Sequence, residues 1–213
     1  MKTETMTIHE ALSEIKVAGK RITGNLIEMK AITANRKNAS KINGVAPEEF
    51  NRQAKANFQS ITDLYKRLTA MKGAIATYNA KQKITVGDKE YTIAEALYMK
   101  EYGMPLKQTI VNTLKKQYQN ALSKVEAENA DNKLGATAER LATASFGSKD
   151  KADSAEMERF IATYKENNQY VLIDPINVIS TISSLQSEID TFEAKVDSAI
   201  QIANATNTIT IEY

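Results

Sequence analysis

Cysteine is absent from this chain of 213 residues, histidine occurs once, and proline and glycine are scarce, with three and eight residues. The lack of cysteine excludes disulfides, thiolate metal sites and cysteine nucleophiles. Most prolines and glycines fall between periodic segments, which is typical of long helices. No apolar run approaches the roughly 20 residues needed to span a bilayer, and the opening MKTETMTIHE lacks the apolar core of a signal peptide. We therefore expect no transmembrane segment.

The remaining composition is that of a folded protein, with 42% hydrophobic and 25% charged residues. The length suits one ordinary domain or two small ones. The net charge of +2 hides an asymmetry, because residues 10–43 carry seven basic and three acidic side chains, whereas residues 171–213 carry one basic and six acidic ones. We interpret this as a sign that the first and last helices are neighbours within one bundle or between subunits. A nucleic-acid surface is the alternative.

Two short motifs predict helix starts. Thr7 with Glu10, and Thr92 with Glu95, have the spacing of a capping box, in which each side chain binds a backbone N–H of the first turn. Glu10 and Glu95 could also imitate a catalytic carboxylate pair, but capping explains each of them locally. His9 lies beside Glu10, and no second histidine or carboxylate cluster completes a metal or catalytic site there.

Long apolar stripes predict the main helices. They recur at helical spacing over residues 8–29, 50–78, 93–125 and 182–203. Gly103 and Pro105 interrupt the third stripe, so we expect a kink or a restart there. The first two helices would form a long antiparallel hairpin. These patterns predict a mainly α fold in which four main helices make a long antiparallel bundle.

Short strands are predicted beside the helices. The Gly87–Asp88 turn separates ITV from EYT, which is a β-hairpin signal. The segment TITIEY alternates like a strand and contains Ile209, Ile211 and Tyr213, and residues 2–6 could make a further strand. An isolated hairpin is marginal in water, so we predict one small antiparallel sheet at one end of the bundle. The last strand can pair within that sheet or add to the edge of a neighbouring subunit.

An internal repeat organises the chain. Its parts recur at identical spacing: AI, NA and ITV over residues 74–86 return as AI, NA and ITI over 199–211, and TIAEAL at 92–97 matches TIHEAL at 7–12. We therefore predict a pseudo-duplicated single domain of residues 1–213. Its first helical-hairpin unit would be residues 1–86 and its second residues 87–213, with an inserted segment at about residues 126–170.

The sequence carries no recognisable catalytic constellation. It has no phosphate-binding glycine motif, no nucleophile elbow and no metalloprotease helix. The best local basic cluster is RKNASK at residues 36–41, which lacks neighbouring aromatic residues for stacking. A solvated loop is the plain interpretation of this cluster, and a phosphate contact is the alternative. We predict a protein that is not an enzyme and that has no cofactor and no metal.

Several motifs also carry a resemblance. With MTIHEALSEIKVAGKRI, SITDLYKRLTAMKGAI and ITVGDKEYTIAEAL, the chain resembles a family of helical proteins often encoded among bacteriophage virion (head and tail) genes. More distantly it is similar to the septicolysin-like proteins of bacteria. The resemblance covers residues 6–122 and returns at IDTFEAKVDSAIQIANATNTI.

The resemblance implies a virion component, located near the head or the tail and assembled in the cytoplasm of the bacterial host. Its partners would be itself, as a homo-oligomer, and other virion proteins, and we expect no nucleic-acid partner. The interaction residues would be those of the caps, the turn and the last strand. Two alternatives stay open, a septicolysin-like membrane-active cytolysin and a phage assembly adaptor or chaperone.

Overall fold

The structure, a computed structural model, describes residues 2–147 and 154–213, and 74% of them are helical. The predicted mainly α class is confirmed. The elements in chain order are β1 (Thr3–Thr7), α1 (Ile8–Glu28), α2 (Pro47–Lys81), β2 (Lys83–Val86), β3 (Lys89–Thr92), α3 (Ile93–Tyr98), a π-helical stretch (Met99–Gly103), α4 (Met104–Asn129), a second π-helical stretch (Asp131–Gly135), α5 (Ala136–Phe146), α6 (Ser154–Asn168), α7 (Val178–Thr206) and β4 (Thr208–Glu212).

The predicted number of four main helices is wrong. Seven α-helices lie in the described ranges, and five of them have 15 residues or more. The extra helices α5 and α6 come from the predicted insertion at about residues 126–170, whose alanine-rich segments are good helix formers. Residues 148–153 of that insertion lie outside the described ranges.

The third stripe changes its helical geometry, without a break, where a kink or a restart was expected. The π-helical stretch Met99–Gly103 joins α3 to α4, and Pro105 lies in the first turn of α4. The backbone stays helical here, since Gly103 has α-helical φ and ψ, and the change from π- to α-helical hydrogen bonding lies where proline lacks an N–H.

The chain divides into two compact units, residues 1–101 with 191–213, and residues 102–190. The first unit contains all four strands, α1, α2, α3 and the last part of α7. The second contains α4, α5, α6 and the beginning of α7. The boundary predicted near residue 86 follows the sequence repeat and stays a prediction.

In the first unit, α1 and α2 pack as an antiparallel pair. Glu14 of α1 forms an ion pair with Arg67 of α2. Further along α1, Glu28 lines a small cavity together with Gln53, near the beginning of α2. Later residues of α1 therefore lie beside earlier residues of α2, so the two helices are antiparallel.

The strands form two separate two-stranded antiparallel sheets, β1 with β4 and β2 with β3. The single shared sheet predicted from the sequence is therefore wrong, and so is the pairing of the last strand with the Gly87 hairpin. A two-stranded sheet is marginal in water, but each of these two buries apolar side chains in the core of the unit. Helices thus supply the packing that was expected from additional strands.

The two sheets have the same register under the internal repeat. Lys83 pairs with Thr92, and its counterpart Thr208 pairs with Thr7. The next backbone hydrogen bonds also correspond, from the N–H of Ile93 to the carbonyl of Gln82 at 2.9 Å and from the N–H of Ile8 to the carbonyl of Asn207 at 3.1 Å. Each sheet therefore contains one strand from each repeat.

Buried positions follow the same repeat. In five pairs of equivalent residues, both members are buried: Ile8 and Ile93, Ala11 and Ala96, Met71 and Val196, Ile209 and Ile84, Ile211 and Val86. At another equivalent pair, a charged residue in one repeat corresponds to an aromatic residue in the other. Where α2 carries Arg67, α7 carries Phe192, whose ring meets Tyr91 edge-to-face with centroids 5.6 Å apart. The repeats therefore share these five buried pairs, and at this further pair one repeat has a polar contact and the other an aromatic one.

In the second unit, α5 and α6 pack through an aromatic contact. The rings of Phe146 and Phe160 meet edge-to-face, with their centroids 5.6 Å apart. Lys107 of α4 forms a 2.6 Å ion pair with Glu188 of α7. Side chains on α4, Leu114 among them, border an apolar groove of about 290 Å³ with the segment that precedes α7.

Candidate functional site

Several side-chain hydrogen bonds and ion pairs of the first unit lie around the β1–β4 ribbon, which we define as residues 3–7 paired with residues 208–212. β1 runs directly into α1 through a capping box. The N–H of Thr7 donates to Glu10 Oε2 at 2.8 Å, and the N–H of Glu10 donates to Thr7 Oγ1 at 3.1 Å. The backbone N–H of Thr7 is the main cause that holds the pKa of Glu10 below its ordinary value. The predicted first capping box is confirmed.

The β2–β3 hairpin carries the second predicted capping box and the predicted turn. The N–H of Thr92 donates to Glu95 Oε2 at 2.7 Å, and the N–H of Glu95 donates back to Thr92 Oγ1 at 3.1 Å. Gly87 and Asp88 make the two-residue turn, and Gly87 has φ +69°. A Cβ atom at Gly87 would lie 2.9 Å from Cγ2 of Thr191. Both the backbone angle and this contact therefore require glycine.

The β1–β4 ribbon has an open edge along β4. Lys2 and Tyr213 exchange two backbone hydrogen bonds, of 2.8 and 3.1 Å. Bonded and non-bonded pairs alternate in an antiparallel ladder, so the N–H and C=O groups of Thr208, Thr210 and Glu212 point away from β1. None of the described strands pairs with this edge. Such an edge is a template for another strand.

The two faces of the ribbon differ in chemistry. Ile209 and Ile211 are buried in a cluster with Met71 of α2. The other face is exposed, and the hydroxyls of Thr5 and Thr210 meet across it at 3.0 Å. Because side chains alternate along a strand, the buried isoleucines fix the register and leave the hydroxyl face to solvent.

An open groove accompanies the β4 edge. Its volume is about 470 Å³, and β4 and the last turns of α2 line it. The lining residues are Ala74, Thr77, Tyr78, Lys81, Gln82, Thr208, Ile209 and Thr210. Apolar and hydrogen-bonding groups therefore lie side by side along the strand edge.

Arg67 ties the ribbon to both helices. Its Nε and Nη2 donate to the two carboxylate oxygens of Glu14 on α1, at 2.5 and 2.9 Å. Its Nη1 donates to Glu4 of β1 and to the hydroxyl of Tyr213, and that hydroxyl donates to Glu4 at 2.6 Å. The guanidinium carbon also lies 5.1 Å from the centroid of the Tyr213 ring. Bidentate and cation–π contacts of this kind favour arginine over lysine.

The same contacts shift the pKa values of the cluster. The hydrogen bond from Arg67 lowers the pKa of Glu14. Hydrogen bonds from Tyr213 and then from Arg67 lower the pKa of Glu4. The pKa of Tyr213 is raised because its hydroxyl donates to Glu4, and Glu14 is the main cause that raises the pKa of Arg67. The two carboxylates and the guanidinium therefore stay charged, and the phenol stays neutral, at neutral pH.

The predicted site residues fall into two groups within the first unit. Five belong to the ribbon and its helix start: Thr7, Glu10, Ile209, Ile211 and Tyr213. Four belong to the hairpin: Gly87, Asp88, Thr92 and Glu95. Their role in interaction with other chains stays a prediction. Arg67 was not predicted from the sequence. A charged residue beside an apolar stripe can be assigned a partner only when the residues of the facing helix are known.

Within residues 2–147 and 154–213, no group of three His, Cys, Asp or Glu side chains is arranged to hold a metal ion. None of the helices described is both long and apolar enough to cross a membrane. Comparisons with protein-family models, with curated proteins and with solved structures gave no match to this chain.

Proposed function

We propose that this chain is a non-enzymatic structural subunit of a bacteriophage particle, repeated in many copies near the head or in the neck or tail. Its partners would be further copies of itself and other virion proteins. The resemblance over residues 6–122 supports this proposal, and so do the surfaces of the first unit. In the particle, the helices would complete a long antiparallel bundle across subunits.

The observation that carries the proposal is how little of α2 is buried. Only Ile61, Met71 and Ile75 are buried in this helix of 35 residues. Phe58 and Tyr65 are each 60% exposed, on a helix whose apolar stripe predicts a packed face. Further large apolar side chains, Leu12 and Val17, are exposed on α1. Apolar faces of this extent, with aromatic residues, are typical of surfaces that another protein covers.

The open edge of β4 supplies a second contact of the same kind. Its outward N–H and C=O groups suit addition of a strand from a neighbouring subunit, and the adjoining groove can receive alternate side chains. A contact between an edge and a different segment is heterologous, and it builds rings or filaments. Repeated copies joined in this way would form a ring or a filament within the particle.

The mass of the purified protein, measured by light scattering over a range of protein and salt concentrations, tests self-assembly. We expect an oligomer that grows with concentration. The variant Thr210→Pro removes an N–H that points away from β1, so it should weaken the oligomer and leave the ribbon paired. Thr210→Ala is the matched control, because it loses the hydroxyl and keeps the N–H.

Mass spectrometry of purified particles tests the location. We expect the chain in mature particles in many copies. Presence in infected cells but not in particles would favour the adaptor or chaperone alternative. Leakage of a dye from liposomes at micromolar protein would favour the cytolysin alternative. A stable monomer that is also missing from particles would overturn the proposal.

A further inference from the structure

The connection between α1 and α2, residues 29–46, is strongly basic. Its 18 residues include four basic side chains and no acidic one. Lys30, Arg36, Lys37 and Lys41 are all exposed, and none of them forms an ion pair with a described residue. A connection of this length without helix or strand is uncommon and usually has a function.

The basic connection has a defined backbone. The Nδ2 of Asn35 donates to the carbonyl of Lys41 at 2.7 Å, and its Oδ1 accepts from the N–H of Arg36 at 2.9 Å. One amide side chain therefore closes the segment that displays the charges. The chain then reverses in a tight turn in which Ile42 and Val45 exchange backbone hydrogen bonds of 2.8 and 3.0 Å.

Aliphatic side chains stand beside these charges. Ile32, within the connection, is 90% exposed, and Ile27, in the last turn of α1, is 80% exposed. Leu26 is also exposed. Nearly full exposure of a branched aliphatic side chain has a free-energy cost in water that burial would remove. The tip thus combines apolar groups and positive charge on one short segment.

We propose that this tip, residues 26–46, binds the surface of an anionic lipid bilayer. Lysine and arginine would meet the anionic headgroups, and Ile27 and Ile32 would enter the boundary with the acyl chains. Protein interfaces are instead depleted in lysine and enriched in aromatic residues. Proteins that bind single-stranded nucleic acids stack the bases on aromatic rings, which the tip lacks, and exposed isoleucines contribute nothing to the phosphate contacts made with a duplex.

Co-sedimentation of the full chain with vesicles tests the proposal. The vesicles are pure phosphatidylcholine in one series and phosphatidylcholine with one quarter phosphatidylserine in the other. We expect binding to the anionic vesicles alone, weakened by added salt. The double variant Lys37→Gln/Lys41→Gln should bind about 25-fold more weakly, at about fivefold for each charge. Ile32→Ser should weaken binding about tenfold or more, because a buried aliphatic side chain is lost.

Matched controls separate the tip from general charge and hydrophobicity. Lys115→Gln/Lys116→Gln removes two lysines of α4, and Ile202→Ser removes an exposed isoleucine of α7. Both controls should bind like the original chain, and circular dichroism should show that every variant stays folded. Three results would overturn the proposal: no binding to either vesicle series, equal binding to both series, or losses in the controls equal to those in the tip variants.

Discussion

Replacing Arg67 by methionine is the sharpest test of how the first unit is held together. Methionine keeps an unbranched apolar stem of similar length, so packing against α1 is largely preserved. What is lost is the guanidinium that faces Glu14, Glu4 and Tyr213. Two carboxylates would then lie near each other with no cation between them.

The magnitude follows from the burial of the arginine. Exposed ion pairs contribute about 0.2–1 kcal/mol, whereas removal of one partner from a buried pair costs about 3–5 kcal/mol. The Arg67 side chain is 19% exposed, which lies between these limits. After a discount for solvent screening we expect a loss of about 2 kcal/mol in the free energy of unfolding. For a chain of this length the melting temperature would fall by about 4–8 °C.

Thermal unfolding followed by circular dichroism measures this loss, and Arg52 supplies a matched control. Arg52 lies on the same helix and pairs with Glu49 at 2.8 Å, but its side chain is 76% exposed. Arg52→Met should therefore cost less than about 0.5 kcal/mol. The double variant Arg67→Met/Glu14→Gln should be less destabilised than the sum of its single variants. Equal melting temperatures for Arg67→Met and Arg52→Met would refute the reasoning.

Three further outcomes follow from individual contacts. Gly87→Ala should destabilise the fold by about 1–2 kcal/mol, because Gly87 has a positive φ and lies close to the side chain of Thr191 in α7. Gly73→Ala, in open space within α2, should stabilise the fold by about 1 kcal/mol. The reverse order of melting temperatures would contradict the turn geometry. Ile211→Ala should cost about 2–4 kcal/mol in urea unfolding through the cavity it leaves, and Ile202→Ala, at an exposed position, should change little. The pKa of Glu14 is lowered in the folded protein. Glu14 therefore stabilises the fold fully above its ordinary pKa of 4.5, and this stabilisation is lost as the pH falls through the pKa of the folded state. Acidification should lower the melting temperature less for Glu14→Gln than for the original chain.

Local signals in the sequence predicted most of the helical structure. The Thr-x-x-Glu spacing marked the start of α1 at Thr7 and of α3 at Thr92, and both capping boxes are present. The Gly87–Asp88 turn formed between the expected strands. These features depend on neighbours within about four residues, and a single sequence contains that information.

Long-range features were not accessible in the same way. Alternation in TITIEY predicts a strand but does not name its partner, and β1 is more than 200 residues away in the chain. The Arg67 cluster requires the register of α1 against α2, which an apolar stripe does not fix. Pairing and register thus came from packing, not from propensity.

The two sheets of the first unit have the same register, so each brings together two chain segments that a tight turn could join. One sheet is closed by the Gly87–Asp88 turn, and the other holds Lys2 against Tyr213 at hydrogen-bond distance with no covalent link. A circular permutant, joined by a tight turn between these two residues and opened in the Gly87–Asp88 turn, would keep every strand pair and every buried counterpart. The two sheets are thus equivalent in their pairing, and either could hold a tight turn.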